Sequence, residues 1–204
     1  MSHSFIASKT YRYYTSGNPV SAKYILLTLH GYGQLAKYFI KKFEECSADY
    51  LVVAPEGPHR FYLKGYSGRV GASWMTKEAR EYDIDDNLKW LNELLAELQK
   101  NKKYEKIVLL GFSQGGPTAA RWYAQNESKF HKLILWSSIF PPDIDKTRIS
   151  KNKGNVFAVG LNDEFLNESL LDREIESYEE LGFDTITFKG NHDINTDVLN
   201  DILA

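Results

Sequence analysis

The chain has 204 residues, 43% of them apolar, for which one domain with a full core is the natural count. Its 25 basic and 27 acidic residues nearly cancel to a formal net charge of −2, so neither nucleic acid nor an anionic membrane gains an electrostatic hold. The single cysteine, Cys46, excludes an internal disulfide. Residues 1–10 lack a leader's apolar core, and no apolar run approaches the ~20 residues of a membrane span. The expectation is a cytoplasmic protein without stable membrane association.

Residues 10–15 and 23–29 are rich in β-formers and are separated by Ser16-Gly17-Asn18-Pro19, a turn signal. They read as an antiparallel pair at a sheet edge. His30-Gly31-Tyr32-Gly33-Gln34 follows, and then Leu35, Phe39 and Phe43 at helical spacing. Residues 51–55 form the next short buried strand. Residues 56–81 show no clean period but are rich in glycine and aromatic side chains, and they read as an ordered wall of a binding cleft. The spacing of Gly65, Gly68 and Gly71 is not a phosphate loop, since no strand precedes it and no Lys-Ser/Thr ends it. Asp83 caps a helix with Ile84, Leu88, Leu91, Leu95 and Leu98 on one face, and Lys100, Lys102 and Lys103 complement its C-terminal dipole.

Within residues 106–110, Ile107 to Leu110 are a continuous apolar run of the kind buried on both faces of a parallel sheet. The run delivers Gly111-Phe112-Ser113-Gln114-Gly115-Gly116 and then a helix from Thr118 to Tyr123, a G-x-S-x-G sharp turn. Such a turn presents the Oγ of Ser113 at a helix N-terminus, where the N–H of Gln114 can face an oxyanion. Pro117 fits the first helical turn, whose N–H groups have no partner inside the helix. Buried strands follow at 132–136, 156–159 and 185–188. Helices lie at 169–181, stopped by Gly182, and at 194–202. Alternating strands and helices give an α/β open sheet in one domain.

A serine hydroxyl needs a base to take its proton and a carboxylate to orient that base. Asp163 follows the strand at 156–159, and His192 follows the strand at 185–188. The carboxyl ends of parallel strands share one sheet edge, so Ser113, Asp163 and His192 can meet there. His3, His59 and His131 read as surface or loop residues. Asp143 and Asp145 are the rivals to Asp163, and Glu164 reads as solvated. No His/Cys/Asp cluster has metal-ligand spacing.

Through Leu29-His30-Gly31-Tyr32-Gly33, Gly111 to Gly116, the Asp163 loop and Gly190-Asn191-His192-Asp193-Ile194, the chain resembles the carboxylesterase, phospholipase and acyl-protein thioesterase family of α/β-hydrolases nearly end to end. The resemblance implies a mostly parallel sheet of about seven strands flanked by helices. It also implies Ser113, Asp163 and His192 as a catalytic triad, the N–H groups of Tyr32 and Gln114 as oxyanion donors, and His30 as a structural histidine. Tyr32, Gln34, Pro117 and Val159 depart from the usual residues of that family. The expected activity is hydrolysis of short to medium acyl esters through an acyl-enzyme with no cofactor. Thioester or lysophospholipid cleavage is the alternative, and an amidase or a non-catalytic binding protein are the more distant ones. The segment between Trp136 and Asn155 is too short for a cap domain. An open cleft walled by Tyr32, Tyr66, Trp74, Ile139 and Phe140 is therefore expected, with Trp74→Ala acting mainly on KM, and a homodimer is left open.

Overall fold

Apolar runs become the strands of a seven-stranded sheet in the computed structural model, which describes residues 3–46, 48–151, 153–166 and 168–204. In chain order the elements are β1 (Tyr13–Ser16), β2 (Tyr24–Leu29), α1 (Ala36–Phe39), β3 (Tyr50–Pro55), β4 (His59–Tyr62), β5 (Val70–Ser73) and α2 (Arg80–Gln99). They continue with β6 (Lys106–Phe112), α3 (Gly115–Gln125), β7 (Lys132–Trp136), β8 (Val156–Gly160), α4 (Glu168–Glu180), β9 (Asp184–Phe188) and α5 (Thr196–Leu203). The main sheet runs β1-β3-β2-β6-β7-β8-β9, and every pairing in it except β1 with β3 is parallel.

Alternation along each central strand divides the core between the two faces. On β6, Ile107 and Leu109 face one side with Leu91 of α2, Trp122 of α3 and Tyr178 of α4. Val108, Leu110 and Phe112 face the other with Phe39, Phe43 and Leu199 of α5. This double burial is why Ile107 to Leu110 carries no polar residue, with Lys106 alone exposed at the start of the strand, and it fixes β6, with Ser113 at its end, in the middle of the sheet.

Three expectations are corrected. Residues 10–15 and 23–29 do not pair with each other: β1 lies antiparallel to β3, with Tyr13 opposite Pro55 and Ser16 opposite Val52. The almost wholly buried β2 instead takes parallel partners on both sides, β3 and β6, whereas the half-exposed β1 suits an edge. Second, residues 56–81 contain a β4–β5 hairpin, with His59 opposite Ser73 and Tyr62 opposite Val70. It packs on the loop after β2, since Gly33 N–H donates to Ala72 O (2.9 Å) and Ala72 N–H donates to Gln34 O (3.1 Å). Gly71 permits this approach, because a Cβ there would lie 2.7 Å from Gly33 Cα. Third, α2 starts at Arg80, and Asp83 lies in its first turn, where its carboxylate meets His59 Nε2 at 3.0 Å.

The helix ends of the C-terminal half follow their sequence signals. Gly182 stands at φ +80 after α4, with Phe183 N–H donating to Tyr178 O and Gly182 N–H to Glu179 O, the paired closure of a left-handed glycine stop. Asn195 caps α5 by accepting from Val198 N–H at 3.1 Å. Among the described residues between β7 and β8, the only helical element is a 3-10 turn at Lys146–Arg148, so no cap covers the carboxyl edge of the sheet. Among the described residues, no helix is long and apolar enough to cross a membrane.

Candidate active site

The turn from β6 into α3 forces Ser113 to φ 51, a left-handed conformation that costs an L-residue roughly 1–2 kcal/mol. Its neighbours are glycines because the turn is crowded. A Cβ on Gly111 would lie 2.7 Å from that of Ala119, and one on Gly115 would lie 2.7 Å from His30 O. The strained turn is pinned on both sides: Ser113 N–H donates to Trp136 O and Gly116 N–H donates to Ser113 O, each at 2.9 Å.

The loops after β8 and β9 are zipped together. Leu161 N–H donates to Phe188 O (2.8 Å) and Asn162 N–H to Gly190 O (2.9 Å), and a Cβ on Gly160 would lie 2.7 Å from Asn191 O. This juxtaposition sets Asp163 Oδ2 2.7 Å from His192 Nδ1. Asp163 is only 3% exposed, and its other oxygen accepts from Phe165 N–H at 3.0 Å. A carboxylate accepts only, so Nδ1 carries the proton and Nε2 is left as the acceptor nitrogen. The imidazole lies between the rings of Phe112 and Phe165, at centroid distances of 4.9 and 4.6 Å. Glu164, read from sequence as solvated, has an exposed carboxylate that accepts from His192 N–H at 3.2 Å.

His30 is fully buried with both ring nitrogens assigned. Gly57 N–H donates to Nε2 at 2.9 Å, so Nδ1 bears the hydrogen and donates to Gly31 O at 2.8 Å. Burial lowers its pKa to about 4, so it stays neutral in the folded protein. The unfolded chain takes up that proton near pH 6.5, so this contribution to stability is complete above about pH 6.5 and falls away as the pH drops toward 4. Between pH 7 and pH 5 the loss from His30 alone is expected to reach about 2 kcal/mol. Urea unfolding at the two pH values should show it, and His30→Asn should flatten the difference.

The loop after His30 is held by side chains rather than by regular structure. Gln34 Oε1 accepts from Gly31 N–H (2.9 Å), and Trp74 Nε1–H donates to His30 O (2.8 Å). The Gln114 side chain bonds Ser73 Oγ, Trp74 N–H and Met75 O at 3.0–3.2 Å, which ties the elbow to the hairpin. A Cβ on Gly31 would lie 3.2 Å from Ser113 Cβ, so loop and elbow are in contact. Among the described residues, the backbone N–H groups of Tyr32 and Gln114 have no protein acceptor.

A cavity of about 420 Å³ opens here, lined by Ser113, His192, Asp163, Tyr32 and Gln114 together with Gln34, Pro117, Ile139, Phe165 and Leu166. The expected wall is corrected at three positions. Tyr66 is 97% exposed at the hairpin tip, where Gly65 and Gly68 take positive φ and carry it away from the cavity. Trp74 is fully buried, stacked on Trp90 at 6.2 Å, and serves the His30 loop from below. Phe140 turns into the core against Tyr178 at 6.2 Å. Trp74→Ala is therefore expected to destabilise the fold by about 3–5 kcal/mol rather than act mainly on KM, as a urea titration would show.

The apolar wall comes from Pro117, Ile139, Phe165 and Leu166. Phe165 and Leu166 went unread because a two-residue apolar pair after an acidic loop has no periodicity; only their place just after Asp163 signalled them. The rival side chains are occupied. Asp143 makes a two-point pair with Arg121 at 2.8 and 2.6 Å, which holds its carboxyl below the ordinary range. Asp145 caps the 3-10 turn through Thr147. His131 Nδ1 accepts from Ile107 N–H at 3.2 Å, and the described residues hold no His/Cys/Asp/Glu group suited to a metal.

Known proteins give the same architecture. A solved carboxylesterase from Mesorhizobium loti superposes with a TM-score of 0.72 at 14% identity, over 95% of this chain and 94% of that one. A phospholipase/carboxylesterase from Dyadobacter fermentans gives 0.69 at 20% identity over 98% and 99%, and Zea mays acyl-protein thioesterase 2 gives 0.68 at 15% over 95% and 98%. A probable 1-acylglycerol-3-phosphate O-acyltransferase of Oryza sativa subsp. japonica is 26% identical over 110 residues, 54% of this chain. That match spans only 24% of the rice protein. The family described as the alpha/beta hydrolase fold matches residues 24–158, and the chain belongs to it.

Proposed function

We propose that the chain is a serine hydrolase of the carboxylesterase type that cleaves short to medium acyl esters through an acyl-enzyme. The observation that carries this reading is the Asp163–His192 pair at 2.7 Å, opening on the same cavity as the strained Ser113. Ser113 Oγ adds to the ester carbonyl carbon while His192 Nε2 takes its proton, and the carbonyl oxygen becomes an oxyanion between the N–H groups of Tyr32 and Gln114. Collapse breaks the bond to the alcohol oxygen, which leaves with the proton from His192. Water then adds to the acyl carbon, gives a proton to the same nitrogen, and releases the acid with Ser113 restored. Each step is carried by groups of this chain, so the reading calls for no cofactor. Carboxylesterases and an acyl-protein thioesterase among the structural relatives lend it support.

The cavity sets the substrate size. About 420 Å³ walled by Ile139, Phe165 and Leu166 takes a short or medium acyl chain, and among the described residues no cap extends that wall. Each CH₂ buried there adds ~0.8 kcal/mol, roughly fourfold in kcat/KM. A series of 4-nitrophenyl esters from acetate to palmitate should therefore rise over the first few carbons and then level off. A rise sustained to the longest chains would overturn the proposed size class, and no turnover or fluorophosphonate labelling with any of them would overturn the hydrolase reading.

A further inference from the structure

Among the described residues, Ser137 is the one besides Ser113 that joins backbone strain to the cavity. It follows β7 at φ 46, is 6% exposed, and lines the cavity with Ser113 and His192. Its N–H donates to Ala158 O at 2.8 Å, whereas its Oγ is buried and has no protein partner among the described residues. A left-handed backbone would be relieved by glycine, and a buried hydroxyl without a partner is itself unfavourable. Two costs on one side chain at the cavity floor point to a hydroxyl kept for a molecule that enters the cavity.

The sheet fixes where that molecule's partner atom would lie. Phe112 pairs with Trp136 in parallel register, so Ser113 and Ser137 are the next residues on adjacent strands, which run about 4.8 Å apart. A hydroxyl one strand from the nucleophile is within reach of substituents on the first two or three carbons of a bound acyl group. Pro117, Ile139, Phe165 and Leu166 offer no side-chain hydrogen bond, and of the other polar lining residues Ser138 Oγ is turned to Ile139 O (3.5 Å) while Gln34 Oε1 holds Gly31 N–H (2.9 Å). Resting on the esterase reading, we infer that Ser137 is a specificity residue and that the favoured substrates are acyl esters with an oxygen on the second or third acyl carbon, as in hydroxyacyl or oxoacyl groups. A site that hydrogen-bonds a substrate hydroxyl discriminates against the analogue lacking it much more strongly than an apolar pocket discriminates by size.

The test is the ratio of kcat/KM for 4-nitrophenyl 3-hydroxybutanoate to that for 4-nitrophenyl butanoate, in the wild type, Ser137→Ala and Ser137→Gly. Intrinsic ester reactivity and any general loss cancel between proteins, and Ser137→Gly relieves the positive φ, so it guards against misfolding. The ratio is expected to fall at least tenfold in both variants. Binding of the free acids, read by protection of Ser113 from fluorophosphonate, should show the same preference for 3-hydroxybutanoate over butanoate and the same loss. An unchanged ratio with unchanged acid preference would mean that the Ser137 hydroxyl takes no part in acyl recognition, and would overturn the inference while leaving the esterase reading in place. If neither ester turned over, the esterase reading would fail, and the acid preference alone would decide for or against Ser137.

Discussion

Replacing Ser113 by alanine is expected to abolish ester turnover and fluorophosphonate labelling while leaving the fold intact. Loss of the serine alone costs a serine protease about 10⁶ in kcat, nearly as much as loss of its whole catalytic group. Comparable loss follows here if Ser113 Oγ forms the acyl bond, since no other hydroxyl shares its position at the tip of the elbow. Stability should barely move. Alanine at φ 51 is as strained as serine, Ser113 is only half-buried, and the hydrogen bonds that pin the turn, to Trp136 O and from Gly116 N–H, are backbone bonds that the substitution keeps. The check is kcat/KM on a soluble ester beside a urea midpoint, with the midpoint expected within about 0.5 kcal/mol of wild type. Turnover that persists with the wild-type pH profile would show that the nucleophile lies elsewhere.

What the sequence made legible was set by how many constraints each residue satisfies. β6 is buried on both faces from Ile107 onward, so each of those positions had to be apolar or glycine, and Gly111 and Gly115 had to lack a Cβ for the turn to close. Both signals survive in the bare sequence. The zipped loops at Gly160 and Gly190 are similar, since backbone crowding selects glycine and places Asp163 beside His192. Where a residue answers to one constraint, or to a partner far along the chain, the signal fades. The four-residue strands β4 and β5 are short, partly exposed and separated by a turn with Gly65 and Gly68 at positive φ, so they showed no period. Trp74 and Phe140 were read as cavity walls because aromatic content says only that a side chain will be buried, not on which side of the backbone. Their orientation depends on Trp90 and Tyr178, residues 16 and 38 positions further on. The pairing of β1 with β3 rather than β2 was hidden for a related reason. Edge and centre are decided by competition among strands, and β2 had two better partners.

Asp163→Asn is expected to cost up to about 10⁴ in kcat, the loss that the same change causes in a serine protease. The geometry gives the cause. His192 Nδ1–H now donates to Asp163 Oδ2 at 2.7 Å, which leaves Nε2 as the acceptor that the proposed mechanism requires for the proton of Ser113. An asparagine that turns its amide toward Nδ1 makes that nitrogen the acceptor and moves the hydrogen to Nε2, so the base is blocked although the contact survives. The lost carboxylate also no longer faces the imidazolium that forms as Ser113 attacks. The neighbouring acids should rank far below. Asp143→Asn removes the countercharge of the buried Arg121, whose Nη1 has no partner among the described residues, so it should lower stability by about 1–2 kcal/mol, discounted for a carboxylate 39% exposed. Its effect on kcat at pH 7 and 25 °C should stay within a few-fold, because Asp143 touches neither Ser113 nor His192. Asp145→Asn loosens only the 3-10 turn through Thr147 and should change kcat less still. Measuring kcat for the three variants on one soluble ester, with unfolding midpoints alongside, separates the roles. A large kcat loss confined to Asp143→Asn or Asp145→Asn, with Asp163→Asn near wild type, would move the orienting acid to the segment after β7.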